Sequence, residues 1–296
     1  MGEAKLENMK RVFYILILSI NSMNLFAQFN HNKIWVCGAY NVFKTTFNGS
    51  GVTNSYIDST KFNYFAHGHT NICNTNGELQ CMTNGYFLFD RNMNLMENGD
   101  SMVHKQIIDR YSFSPLSQSS LFLPFAGGKY YLFTPTASDY EINNYWNVPM
   151  NGRALFDELL YHVIDMNANS GLGKVIRKKI PLLQNVRLSK TNMMACKHGN
   201  GTDYWLFKQG HDSNYVYKFL VTQDSIYNYG IQEFPGFRFG KWDQGGQAMF
   251  SKDGTKYAVC IRGGGQTISM NPPPVGPGKF FVADFDRCNG MLSNPK

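Results

Sequence analysis

Charge is scarce in this chain. Only 17% of its 296 residues are charged, and the formal net charge of +7 is spread along the sequence. The one dense basic run is "KVIRKK", Lys174 to Lys179. It is expected to face water along a strand or loop. Nucleic-acid binding needs clustered positive charge, so that class is set aside. There is no C-x-x-C pair, which removes support for a structural zinc site. Ser119-Ser120 has no G-x-S-x-G context, so a nucleophile elbow is not supported. Gly263 to Gly265 is followed by "QTISMNPPPVGPG" and not by G-K-[ST], so it is no phosphate loop. Beyond the N-terminus there is no apolar run near the ~20 residues that a spanning helix needs.

What is present favours strands. Aromatic residues make up 15% of the chain and hydrophobic residues 43%. Flat and β-branched side chains pack well on a pleated surface, and an apolar fraction of this size supports a substantial core. At the N-terminus, "MKRVFYILILSINSMNLFAQ" begins at Met9. Lys10 and Arg11 precede an apolar stretch from Val12 to Ile20, and Ala27 is a small residue suited to cleavage. This is the pattern of a secretory signal peptide over residues 1–27, with residues 1–8 as an upstream extension. The remainder, 28–296, is expected to be exported, secreted or held at the cell surface, without a membrane span. Export permits disulfides among Cys37, Cys73, Cys81, Cys196, Cys260 and Cys288. Cys73 and Cys81 flank one tight turn, and strand register decides whether they come within bonding range.

Four stretches repeat one pattern: "NICNTNGELQCMT", "LFLPFAGGKYYLFT", "MACKHGNGTDYWLFK" and "MFSKDGTKYAVCI". Each is an apolar segment, a Gly-containing turn and a second apolar segment. The turns are Asn76-Gly77, Gly127-Gly128, Asn200-Gly201 and Asp253-Gly254, dipeptides that tolerate the positive φ of tight hairpins. A second connection follows each hairpin, in "YFLFDRNMNLM", "YHVIDMNANSGLGKVI", "YKFLVTQDSIYN" and "FFVADFDRCNGMLS". The spacing is near 50 residues, except for a 73-residue interval that holds "ASDYEINNYWNVPMNGRALFDELL". Ala154 to Leu160 within that insertion is expected to form a helical turn. A repeat of four short strands points to an all-β fold, a β-propeller of four-stranded antiparallel blades. About four to five blades are expected over 28–296, an incomplete ring truncated at its C-terminal end. The last residues read as the outermost strand of one blade and the turn into the next. The competing architecture is a β-sandwich of irregular hairpins.

The order of these pieces resembles the N-terminal propeller region of large secreted Bacteroidetes proteins, WD40-like and of the type IX secretion or gliding-motility-associated kind. The resemblance runs from "ICNTNGELQCMTNGYFLFDRNMNLMENG" through "YHVIDMNANSGLGKV" to "VADFDRCNGMLSNP" and covers about residues 31–296. It implies an exported propeller of seven or eight blades, usually followed by further domains and a C-terminal sorting signal. Cys81, Met82 and Cys260 depart from the usual strand residues. The resemblance implies no catalytic motif.

Candidate chemistry is sparse. His67 and His69 stand at i, i+2 and could share a metal, but no third ligand is evident, and a surface pair is the expectation. His198 and Asp203 flank a turn and are expected to tether strands. Trp205 is expected to pack inside a blade. Asp165, Asp284 and Asp286 end strands and are expected to shape turns. No catalytic residue, metal ligand or cofactor is assigned. The exposed-loop candidates are the insertion and the Gly/Pro-rich stretch near 263–278. Tyr140, Tyr145 and Trp146 are the candidate ligand-binding residues, because aromatic faces stack on sugars. The sequence therefore points to a non-enzymatic scaffold or binding module for protein or glycan. The alternative is a polysaccharide-acting hydrolase or lyase with an acid–base pair at the channel mouth.

Overall fold

The computed structural model describes residues 31–38, 42–49, 51–57, 65, 68–110, 114, 116, 118–146, 155–238, 246–261 and 279–296. The proposed signal peptide, His67, Gly263 to Gly265 and the Pro-rich stretch after them lie outside the described residues.

Among the described residues eighteen strands form five antiparallel sheets, each a meander of consecutive strands. The first holds β1 (Ile34–Cys37), β2 (Val42–Asn48) and β3 (Gly51–Ile57). The second holds β4 (Thr70–Cys73), β5 (Leu79–Thr83) and β6 (Leu88–Asp90). The third holds β7 (Leu121–Phe125), β8 (Lys129–Thr136), β9 (Glu158–Asp165) and β10 (Lys174–Leu183). The fourth holds β11 (Leu188–Lys197), β12 (Tyr204–Gly210), β13 (Tyr215–Val221) and β14 (Ile226–Glu233). The fifth holds β15 (Gly246–Phe250), β16 (Lys256–Ile261), β17 (Lys279–Asp286) and β18 (Met291–Ser293).

The four expected hairpins join the first and second strands of sheets two to five. Gly77, Gly127, Gly128, Gly201 and Gly254 all have φ between 71° and 83°, the left-handed region where a Cβ is costly. Three expectations need correction. The first two sheets have three strands, not four. In the second, the place of a fourth strand is taken by a turn that returns in a single bridge, Phe89 to Leu95, because the β6 edge is bonded instead by Met96 and Gly99. The C-terminal residues are the third and fourth strands of the fifth sheet, so Lys279–Asp286 is not its outermost strand and the turn after it stays within the sheet. Phe156 to Leu160 is extended, not helical. Phe156 bridges Leu188, and Leu159 and Leu160 pair with Pro135 and Thr134. The helical signal falls earlier, at Asp139–Glu141 and Ile142–Trp146.

Four hydrophobic clusters hold the sheets together, each at the boundary between sheets consecutive in sequence. Ile34, Val36 and Val42 pack on Leu79, Met82 and Phe89. Cys81 and Leu88 join Leu132, Ile164 and Val175. Phe133, Leu159 and Val163 join Leu188, Leu206 and Phe219. Trp205, Phe207 and Val216 join Tyr257, Val259 and Phe281. Sheets stacked this way leave one edge of each facing inward. β1 lies beside β4, β4 beside β7, and β11 beside β15, so the first strands converge. Gln118, just before β7, shows how tightly. Its Nε2 donates to Ala248 O and its Oε1 accepts from Ala248 N, both at 2.8 Å. The side chain thus reaches from the third sheet to the first strand of the fifth, past the fourth. A linear stack could not permit that span, since packed sheets lie ~10 Å apart. The arrangement is propeller-like.

Two buried ammonium groups are satisfied by backbone carbonyls. Lys208 is fully buried, and its ammonium donates to Thr191 O at 2.5 Å. That carbonyl belongs to a bulge in β11 where the register slips between Leu188 and Met193. Lys218 Nζ donates to Gly290 O at 3.1 Å, tying the fourth sheet to the fifth. "KVIRKK" lies on β10 and mostly faces water, with Lys174 paired to Glu97 and Lys178 to Asp100. Among the described residues no helix is long and apolar enough to cross a membrane.

The Gln118 bridge carries a prediction. Gln118→Ala strands both backbone groups of Ala248, and the loss should be about 1–3 kcal/mol in urea unfolding. Gln223→Ala, on an exposed turn, should change stability by less than about 0.5 kcal/mol. Equal effects would mean that the first strands do not converge as described.

Candidate functional site

The two ends of the sheets differ. At one end lie the tight hairpins and the Asp-rich turns, and their polar groups are used internally. Asp165 Oδ1 accepts from Asn167 N at 3.0 Å, and Asp286 Oδ1 from Cys288 N at 2.8 Å. Asp284 takes Asn294 at 2.8 Å and Lys256. His198 receives Asn200 N on Nδ1 at 3.0 Å, and its Nε2 lies 3.0 Å from Cys288 O. Its backbone N–H donates to Asp203 O at 2.8 Å. Trp205 is buried, and its Nε1 donates to Arg287 O at 2.9 Å. These residues shape and tether, as their positions implied. Ser114 and Ser119 hydrogen-bond each other at 2.7 Å, both buried, which gives Ser119 a packing role.

The cysteines are free. Register places Ile72 opposite Cys81 and Cys73 opposite Leu79, across a bulge. Cys73 and Cys81 are therefore diagonal and not bridged. Burial pushes both thiols up, so they are inert core residues. His69 is described while His67 is not. No group of three or more metal-ligating side chains exists among the described residues.

At the other end, the long connections gather ionisable and aromatic groups. The insertion after β8 begins with a built turn. Ser138 N donates to Asp157 Oδ1 at 2.7 Å, and Ser138 Oγ to Asp157 Oδ2 at 2.6 Å. Ser138 Oγ in turn caps the helical segment by accepting from Glu141 N at 3.2 Å. Ile142 is buried in the cluster between the third and fourth sheets and pins the segment down. Asn144 Nδ2 donates to Tyr140 O at 2.8 Å. The result is a fixed platform from which Tyr140 and Tyr145 stand out, 67% and 42% exposed. Their rings lie edge to face, centroids 6.5 Å apart. Trp146 ends the same segment; its side chain lies outside the described residues.

Beneath the platform sits a charged group that the sequence did not reveal. His104 Nε2 and Glu158 Oε2 are 2.6 Å apart, and Gln184 Nε2 donates to Glu158 Oε1 at 3.2 Å. The bond to Glu158 raises the His104 pKa against its desolvation. The same bond lowers that of Glu158. Burial, and then the nearby Asp157, raise the Glu141 carboxyl, while Arg187 and Lys190 oppose that rise. Burial lowers the Lys190 ammonium. His162, fully buried on β9, is pushed down to about 3 by burial and by Lys179 and Lys178. His104 and Gln184 lie 54 and 26 residues from Glu158 in sequence. The only local signal was the length of the insertion.

No family model matches the chain, and no curated protein matches it. Among solved structures, it is similar to a candidate 6-phosphogluconolactonase from Bacteroides uniformis, with 10% identity and a TM-score of 0.43 over 86% of this chain. A candidate 6-phosphogluconolactonase from Bacteroides fragilis gives 13% identity and 0.42 over 89%. A GH43 protein from Bacillus licheniformis gives 9% and 0.36 over 89% of this chain and 41% of its own. The chain spans 64% and 67% of the length of the first two.

The His104–Glu158 pair sets a pH dependence. His104 is raised, so its contribution is complete below about 6.5 and is lost as pH climbs through the raised value. Glu158 is lowered, so its contribution is present above about 4.3 and is lost as pH falls through the depressed value. Glu158→Gln should therefore cost about 1–2 kcal/mol near pH 6 and less at pH 9. Unfolding of both proteins at the two pH values checks this, and His162 cancels in the difference. A cost independent of pH would remove the ion pair from the account.

Proposed function

We propose that this chain is an exported, non-enzymatic binding module that recognises glycan through the end of the sheets carrying the insertion. The observation that supports it is the Tyr140–Tyr145 pair. Two large aromatic side chains are held out in water on a capped and pinned segment, where their burial would contribute nothing to folding. Rigid, exposed aromatic faces suit stacking on sugar rings and lose little conformational entropy on binding. Export rests on the signal pattern in residues 1–27, and placement at the cell surface or outside the cell on the resemblance to secreted Bacteroidetes propeller regions. The first and fifth sheets each expose apolar residues: Trp35, Phe43, Phe47, Val52 and Tyr56 on the first, and Met249 and Phe280 on the fifth.

A second reading, a polysaccharide hydrolase or lyase, is supported by the raised Glu141 carboxyl beside Asp157. One experiment separates the two. A glycan array and a polysaccharide-cleavage screen are run on the same protein. Binding without cleavage is expected, with Tyr140→Ala and Tyr145→Ala each weakening it about tenfold. Cleavage abolished by Glu141→Gln would establish the enzyme instead.

A further inference from the structure

We propose that the cavity beside this platform is a subsite for a carboxylate-bearing sugar, so that the glycan recognised is acidic. This deepens the glycan-binding reading and rests on it. The cavity has a volume of about 820 Å³, within the range of sites for small ligands. Three connections on the insertion end of the fourth sheet form its walls: the β10–β11 turn, the β12–β13 turn and the segment after β14. Backbone bonds fix them to one another. His211 N donates to Arg187 O at 3.0 Å, Phe234 N to Asn214 O at 2.7 Å, and Phe237 N to Phe234 O at 3.1 Å. The site is therefore preformed.

Its lining combines charge with flat apolar faces: Arg187, Asp212, Tyr215, Tyr217, Phe237 and Arg238. Asp212, the one carboxylate among the described lining residues, is paired, with Arg238 Nε 2.9 Å from its Oδ1. That leaves the exposed Arg187 as the excess charge. Among the described residues its guanidinium has no hydrogen-bond partner, although it acts electrostatically on Glu141 of the platform. A guanidinium fork matches a planar carboxylate in two parallel bonds. Tyr215 and Tyr217 meet edge to face, centroids 5.3 Å apart, with hydroxyls 3.5 Å apart. Burial, and then the bond to Tyr215, raise the Tyr217 phenol, so it remains a neutral donor near pH 7. Gly210 makes room for this arrangement. A Cβ there would stand 2.5 Å from both Ser213 Oγ and the Tyr215 ring. A cation, a phenolic donor and aromatic faces in one preformed cavity fit a ring with apolar CH faces and an acidic edge. Val186, in the cavity wall, donates its N–H to Asp157 O at 3.2 Å, and Asp157 holds Ser138 at the start of the platform, which would set the acidic unit near the sugars stacked on Tyr140 and Tyr145.

The test is calorimetric titration with trimers of galacturonate, glucuronate and mannuronate, their methyl esters, and a sugar phosphate. At least one uronate trimer should bind, about tenfold more weakly once esterified and more weakly as salt rises. Arg187→Gln should weaken the acid about tenfold and leave the ester unchanged, with Arg187→Lys in between. Thermal unfolding of both variants should match the parent, since Arg187 is exposed. Esters binding as tightly as acids would overturn the acidic subsite and leave the glycan reading standing. Equal or tighter binding of the sugar phosphate would overturn it in favour of general anion binding. No binding by any saccharide, here or on the array, would overturn both.

Discussion

Everything in this structure depends on one constraint: a short antiparallel sheet has two faces and can cover neither alone. Each sheet therefore buries its apolar residues against the next sheet in the chain, and the four hydrophobic clusters sit at those boundaries. The constraint is visible along the strands. β12, in the fourth sheet and covered on both sides, is buried at every position after Tyr204. β3, the outer strand of the first sheet, is exposed at six of its seven positions, and β14, the outer strand of the fourth, at six of eight. Burial falls from the covered middle of a sheet toward its outer strand. Phe47 and Val52 oppose each other in register and still face water.

The same packing divides labour between the two ends. Short connections at one end satisfy themselves. Asp165, Asp286 and His198 do so with their own side chains. Longer connections emerge at the opposite end, and there the charge and the exposed tyrosines collect. Rigidity comes from below: Ile142 sits in the core between the third and fourth sheets, and Asp157 grips Ser138 with both oxygens. A recognition surface on such an end is held by the scaffold while its side chains are free to vary.

How much of this was legible in the sequence follows from the range of each signal. The four Gly-containing hairpins were readable because the positive φ is a property of one or two residues. The alternation of two turn types gave the meander. The first sheet was not readable in the same way, since no comparable dipeptide marks the β1–β2 connection. The missing fourth strand of the second sheet depends on Met96 and Gly99 bonding to Leu88, which no local pattern encodes. Ala154 to Leu160 has helix-forming residues, yet pairing with β8 extends Glu158 to Leu160, an override of local preference by the sheet. Tyr140 and Tyr145 could be found as an aromatic cluster in an insertion. His104, Glu158 and Arg187 could not, because each is unremarkable in its own neighbourhood. Only the common direction of the long connections brings them together.

The occupancy of the carboxylates bears on the choice between binding and catalysis. A glycosidase-type pair needs two carboxyl groups free to address the substrate, one protonated and one ionised. Asp157 has both oxygens committed to Ser138 at 2.7 and 2.6 Å. Glu158 has one oxygen with Gln184 and the other with His104. Glu141, raised by burial, is then an acid whose nearest carboxylate is already employed in holding the turn. Releasing Asp157 for chemistry would dissolve the cap that positions Glu141 and Tyr140. On the binding reading, the same bonds keep the platform rigid, and a ligand with its own negative charge would meet Arg187.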